Sequence, residues 1–229
     1  MSTSDTKTTI LDAAEALFAE QGFAATSLRQ LTARAAVNLA AVNYHFGSKE
    51  DLAKAVLVRC MAPIQSERRR RLDALPQPAT LAAIVRAFLE PALLPRPDLP
   101  DDRPPASGMC RVFGRISVEQ PPFLRDFLGE QFSDLGRRFA AVLAAAAPHL
   151  DTATVWWRLH FVVGAMAHTL QNAHLFAAVT GGLCDADDPA AIVDQLVAFA
   201  TAGLAAPALA SSTAKRATAA HKPRSKVRR

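Results

Sequence analysis

Apolar residues recur at helical spacing along almost the whole chain, and no stretch alternates in the two-residue rhythm of a half-buried strand. That feature leaves helical architectures open and closes sheet-based ones, so the expected fold class is all-α. Composition agrees: alanine and leucine dominate, and these lose least on entering a helix. With 229 residues, 50% of them hydrophobic, the chain is long enough to bury one or two cores.

Ile10, Ala14, Leu17 and Phe18 form the apolar stripe of a first helix, opposed by Asp12, Glu15 and Glu20. Gly22 suits its left-handed close, and a loop is expected from Phe23. The hydroxyl pair Thr26-Ser27 can cap a short second helix that buries Leu28, Leu31 and Ala35. A turn at Ala36-Val37 leads to Asn38, the cap of a third helix that runs to about Phe46 and stops at Gly47. Ser48, with Asp51 three residues on, opens a fourth helix reaching about Leu75 unless Pro63 kinks it. Residues 81–94 form another helix, and six prolines between Pro91 and Pro105 mark a loop. Helices follow near 109–119, 121–147 and 151–179, and Asp188-Pro189 opens the last one. There is no internal repeat.

Several function classes fall away. Residues 1–9 are polar rather than a secretion signal, and the longest apolar runs are too short to cross a bilayer, so a cytoplasmic protein without membrane contact is expected. Cys60, Cys110 and Cys184 are odd in number and lack metal spacing, which points to reduced, buried thiols; a redox sensor using Cys60 or Cys110 is the weaker alternative. No phosphate loop, nucleophile elbow or ligand-spaced His/Cys set is present, so neither an enzyme nor a cofactor is expected. The net charge of +5 is concentrated in residues 211–229, which hold seven Lys/Arg and no acid and leave 19 basic against 21 acidic residues elsewhere. This tail is expected to be disordered, serving either as a non-specific nucleic-acid contact or as a solubilising extension.

Residues 26–46 read as helix, short turn, helix, preceded by a helix that can close a three-helix core. That is the layout of a helix-turn-helix, whose second helix enters a DNA major groove. On helix 38–46, Val42 and Phe46 lie one turn apart and face the core, leaving Ala40, Ala41, Asn43 and Tyr44 outward. The alanines permit close approach to base edges, and Asn43 can pair with adenine. Tyr44 and His45 carry donors for phosphate oxygens, or else pack the corner to the next helix. Lys49 adds a cation, and the Ser27 hydroxyl with the adjacent helix-start amides can hold a phosphate. Arg29 could reach guanine or stand solvated. Residues 1–50 hold four basic against five acidic residues, a weak balance for a DNA binder, although most of the acids lie on the first helix.

The segment "ILDAAEALFAEQGFAATSLRQLTARAAVNLAAVNYHFGSKEDLAKAV", residues 10–56, resembles the DNA-binding domain of the TetR family of bacterial repressors. The resemblance rests on the first apolar stripe, the Gly22-Phe23 break, the Thr26-Ser27 cap and the "YHFGSKEDL" signature. It implies an all-helical homodimer that binds a palindromic operator and releases it when a small molecule enters the C-terminal domain. It also implies base contacts from Asn38, Leu39, Ala40, Ala41 and Asn43 through to His45, with phosphate contacts at Thr26 or Ser27, Tyr44, His45 and Lys49. Asn43 stands where many members carry tyrosine, so base preference does not transfer.

The organisation expected is a helix-turn-helix domain at 1–50, an effector-binding and dimerisation domain at 51–210, and the basic tail. Helix 151–179 is apolar on more than one side, and the last helix carries Ile192, Leu196, Phe199 and Gly203 at helical spacing. Two such helices paired with their symmetry mates would make a four-helix dimer interface. His160 and His168, with Asn172 one turn further, read as polar handles of a pocket or as interface histidines; no carboxylate joins them as a metal ligand. The run "WWRLHFVVGAMAHTLQN" resembles fatty-acid-responsive members of the family, which implies a pocket for an acyl chain, a long-chain fatty acid or its CoA thioester, lined by Phe113, Phe127, Phe132, Phe161 and Met166. The alternative is a regulator without a small-molecule ligand, its C-terminal domain serving dimerisation or protein binding.

Overall fold

The computed structural model describes residues 3–95, 112, 113, 116 and 118–209. Eight helices make up the described architecture: α1 (Thr3–Ala25), α2 (Leu28–Ala35), α3 (Leu39–Phe46), α4 (Lys49–Asp73), α5 (Leu81–Leu93), α6 (Pro122–Ala146), α7 (Thr152–Val179) and α8 (Pro189–Ala205). No strand occurs among the described residues. The basic tail and most of the proline-rich stretch lie outside them, as does Cys110.

The caps are those that the sequence chemistry demands. Asn38, Ser48, Asp151 and Asp188 each accept a backbone N–H of the first turn of α3, α4, α7 and α8. At α2 the structure selects Ser27, which forms a reciprocal capping box with Gln30. Thr26 is buried instead, its hydroxyl donating to Gly22 O at 2.7 Å and accepting from Gln21 Nε2. The break expected at Gly22 is present as a kink at φ 87° inside α1, with the helix resuming to Ala25, so the loop expected from Phe23 shrinks to Thr26 and Ser27. The positive φ favours glycine there; a Cβ would also lie 1.9 Å from Glu119 Oε1, so the Glu119 carboxylate would have to move aside.

Two apolar cores share α4. The first gathers Ile10, Phe18, Leu31, Val42 and Phe46 around the start of α4 (Leu52, Val56, Leu57), and it takes in Val112, Ile116, Phe123 and Leu124 from beyond residue 50. The second gathers Ile64 and Leu72 of α4 with α5, the later part of α6, α7 and α8. Pro63 sits inside α4 without ending it. Twenty-five residues at about 1.5 Å each give α4 a length of about 37 Å, enough to run through both cores.

Candidate nucleic-acid interface and effector cavity

Packing decides which side of α3 is bare. Val42 and Phe46 are buried in the first core, which leaves Tyr44 80% and Leu39 49% exposed, with Asn43 and Ala40 also exposed. An exposed tyrosine and leucine on an eight-residue helix cost hydration unless something covers them, and a groove with aromatic and methyl surface does so. Ala41 and His45 flank this surface half-buried, and the Tyr44 and His45 rings meet edge-on at 5.2 Å between centroids. Asn38 spends its side-chain oxygen on Ala41 N at 2.8 Å, so it orders the start of the helix and offers only its amide nitrogen outward.

Around α3 the expected phosphate contacts fare differently. Ser27 and Arg29 are exposed at the start of α2. Thr26 must be corrected: it is buried and its hydroxyl is committed to the α1 kink, so it has no polar atom to give a phosphate. Lys49 is half-buried, its ammonium 4.3 Å from the Phe23 ring centroid and 3.5 Å from Ala24 O. Burial lowers its pKa from the ordinary value, with the charge of Glu119 acting against that. Lys7, which the sequence did not single out, lies 6.0 Å from the Phe46 ring beside the end of α3. Three acids of α1 are held in ion pairs: Asp12 and Glu15 pair with Arg59, and Glu20 takes a two-pronged contact from Arg34 at 2.7 and 2.9 Å. Three of the five acids of residues 1–50 are thereby held in ion pairs, one of which engages Arg34 of the same region.

Behind this unit lies a cavity of about 370 Å³, lined by α4, α5, α6 and α7 together with Phe113. Its wall is almost wholly apolar; the polar side chains are Gln65 and Arg68 of α4 with His160 and Gln171 of α7. Phe113, Phe132, His160 and Met166 line it as the sequence suggested. Phe127 does not, because it turns into the first core. Phe161 does not, because it stands on the outer face of α7, 60% exposed. His168 and Asn172 also face away and bond to each other, Asn172 Nδ2 lying 3.0 Å from His168 O. Sequence reasoning missed Gln65, Arg68, Phe88 and Gln171. A signal existed for Arg68, which occupies the apolar stripe Met61, Ile64, Arg68, Leu72 of α4 where a hydrophobe is expected.

The thiols divide. Cys184 is exposed, which corrects the expectation of burial, and Cys60 is half-buried between α4 and α1. Burial and the nearby Glu15 carboxylate push the Cys60 thiol up to about 12, so it stays protonated and unreactive near neutral pH. No group of three or more His, Cys, Asp or Glu side chains that could hold a metal occurs among the described residues. No described helix is long and apolar enough to cross a membrane.

A three-helix unit with the outer face of its third helix bare defines a helix-turn-helix protein. Residues 10–56 match the family described as "Bacterial regulatory proteins, tetR family", and residues 86–203 match one described as "Tetracyclin repressor-like, C-terminal domain". The chain belongs to the TetR family, a family of bacterial transcriptional regulators and not of enzymes. Among its relatives are the HTH-type transcriptional repressor Rv3405c of Mycobacterium tuberculosis and the HTH-type transcriptional regulator Mb3439c of Mycobacterium bovis, each 56% identical over 48 residues. Those matches span 21% of this chain and 26% of each relative. The fold is shared with GusR of Salmonella enterica (TM-score 0.57, 16% identity, 88% of this chain and 96% of that one). It is shared also with a TetR-family regulator of Streptomyces coelicolor (TM-score 0.56, 20% identity, 88% and 95%) and a regulator of Aquifex aeolicus VF5 (TM-score 0.55, 19% identity, 85% and 96%).

Proposed function

We propose that the protein is a repressor that binds a palindromic operator as a homodimer and leaves it when a small hydrophobic effector fills the cavity. The observation that carries this reading is a single helix, α4, which packs against the bare-faced α3 at one end and walls the cavity at the other. In this reading residues 1–50 read DNA, 51–210 dimerise and bind effector, and Asn43, Ala40, Ala41 and Leu39 meet base edges. Ser27, Arg29, Tyr44 and His45 hold phosphates, and Lys49 joins them only if it leaves its seat on Phe23. Work is confined to the cytoplasm, with no membrane partner.

The segment before and within the start of α6 supplies the coupling. Phe113, Leu128 and Phe132 line the cavity, while Phe123 packs on Phe23 at 5.2 Å and Glu119 accepts Ala24 N at 2.7 Å. An effector that prefers one arrangement of this segment shifts the helix-turn-helix relative to its symmetry mate, and half-site spacing converts that shift into lost affinity. Exposed aromatics on α7 and α8 support dimerisation there. The cavity favours a ligand-responsive protein over one whose C-terminal domain only dimerises or binds protein. The likeness to fatty-acid-responsive members points to an acyl effector.

The test is selection of bound genomic fragments by the purified full chain, footprinting of the selected site, and repetition with long-chain fatty acids and their CoA thioesters. A protected palindrome that is lost on adding an acyl compound is the expected result. A palindrome indifferent to acyl compounds removes the effector class, and the absence of any footprint at low salt removes the operator.

A further inference from the structure

Arg68 is the anomaly of the cavity wall. It is 4% exposed, on the core-facing stripe of α4, and its guanidinium lies 3.9 Å from the Phe88 ring centroid. Its Nε donates to Phe88 O at 2.8 Å and its Nη2 contacts Met166 Sδ at 3.2 Å. Both partners are neutral, and among the described residues no carboxylate pairs with it. The acids nearby are taken: Glu67 holds Arg70 and Arg71, and Glu90 holds Arg71 and Arg86. Burial, with nothing opposing it, brings the guanidinium down to about 9, still a cation near neutral pH. A buried, unpaired charge is costly unless an anion meets it, and a guanidinium offers a planar fork that matches a carboxylate. One turn earlier on the same face, Gln65 also lines the cavity; among the described residues its Oε1 is buried without a hydrogen-bond partner, and of its two amide ends it is the Nε2 group that can donate to an anion. These two polar groups sit side by side at one wall of an otherwise apolar chamber whose volume is at the small end of ligand sites, about 300–1,000 Å³.

We infer that the effector is a hydrophobic monocarboxylic acid taken up as the free anion, its carboxylate on Arg68 beside the Gln65 amide and its alkyl body against Phe113, Phe132 and Met166. This rests on the cavity being the effector site, and it narrows the acyl class: the thioester carbon of a CoA conjugate carries no charge for Arg68.

The probes are decanoic acid, 1-decanol and methyl decanoate, below their aggregation limits, with the full-length protein. Binding is read from the fluorescence of Trp156, which stands in the cavity wall, and from the rise in Tm. The acid should bind about tenfold or more tighter than the alcohol or ester, in line with one charged hydrogen-bonded pair. Arg68→Met should abolish that preference while still binding decanol, and Arg68→Lys should keep part of it. Equal binding of acid, alcohol and ester to the unaltered protein overturns the inference and leaves the effector cavity standing; this comparison holds even if Arg68→Met fails to fold. No response to any probe removes the cavity as an effector site and the inference with it.

Discussion

Asn43 is the residue on which the base-reading hypothesis turns, because it is exposed, polar and flanked by alanine and tyrosine on the outward side of α3. Asn43→Ala removes the amide without disturbing Val42 or Phe46 beneath it. Affinity for the selected operator should fall by about 1–3 kcal/mol while binding to random DNA stays the same, as competitive gel shifts would read. A uniform loss on both DNAs would instead make Asn43 a backbone contact. Thr26 calls for the opposite pattern. Its hydroxyl ties down the α1 kink, so Thr26→Ala should cost about 1 kcal/mol in Tm-based stability and leave the operator preference of the folded protein unchanged. The thiols can be separated by the same logic of environment. Iodoacetamide at neutral pH should label Cys184 quickly and Cys60 only on unfolding, because exposure favours one and the elevated thiol of the other blocks attack. Rapid labelling of Cys60 in the folded protein, seen by peptide mass mapping, would reopen the redox-sensor alternative.

At the scale of elements, an ion-pair chain ties α4, α5 and α8 together: Glu67 to Arg70 and Arg71, Arg71 to Glu90, Glu90 to Arg86, and Arg86 to Asp194. The hydrogen bond from Arg70 and then that from Arg71 hold the Glu67 carboxyl down to about 2 from an ordinary 4.5. A carboxyl depressed on folding contributes stability that is complete above about pH 4.5 and is lost as pH falls toward 2. Glu67→Gln should therefore flatten the decline of Tm between those values; an unchanged slope would show that the pair is screened by water. Elements were also where the sequence was most legible. Asn38, Ser48, Asp151 and Asp188 announced four helix starts because capping is local chemistry that the chain states in its own order. The outward face of α3 was legible for the same reason, since Val42 and Phe46 fix its inner side. The cavity was not: Phe127, Phe161, His168 and Asn172 share helical periodicity with the true lining residues, and only the relative rotation of α4, α6 and α7 decides which of them face inward. Arg68 went unread because a run of four arginines at the end of a helix looks like a solvated face, while tertiary packing turns just one of the four inward.

For the whole molecule, the proposed dimer would form through the outer faces of α7 and α8. Trp157, Phe161 and Phe199 are each about two-thirds exposed, and the Trp157 and Phe161 rings stack at 6.0 Å across one turn of α7. Aromatic side chains of this size left in water forgo much of the hydrophobic free energy available to them, and grouped on an outer face they mark an association surface. A two-fold interface meets its own image, so a charge introduced at Phe161 faces or neighbours its symmetry copy and repels it. The cavity wall is spared, because Phe161 does not touch it. Phe161→Glu combined with Phe199→Glu should accordingly sediment as a monomer with unchanged helical circular dichroism. Operator affinity should then drop to that of a single half-site, since two linked recognition helices gain from each other's high local concentration and one alone does not. Binding of a cavity probe should persist in the monomer, although displacement from DNA by that probe should vanish, because a change in half-site spacing has meaning only for two linked recognition helices. A dimer that survives both substitutions would move the interface off α7 and α8 and detach effector response from the geometry proposed for it.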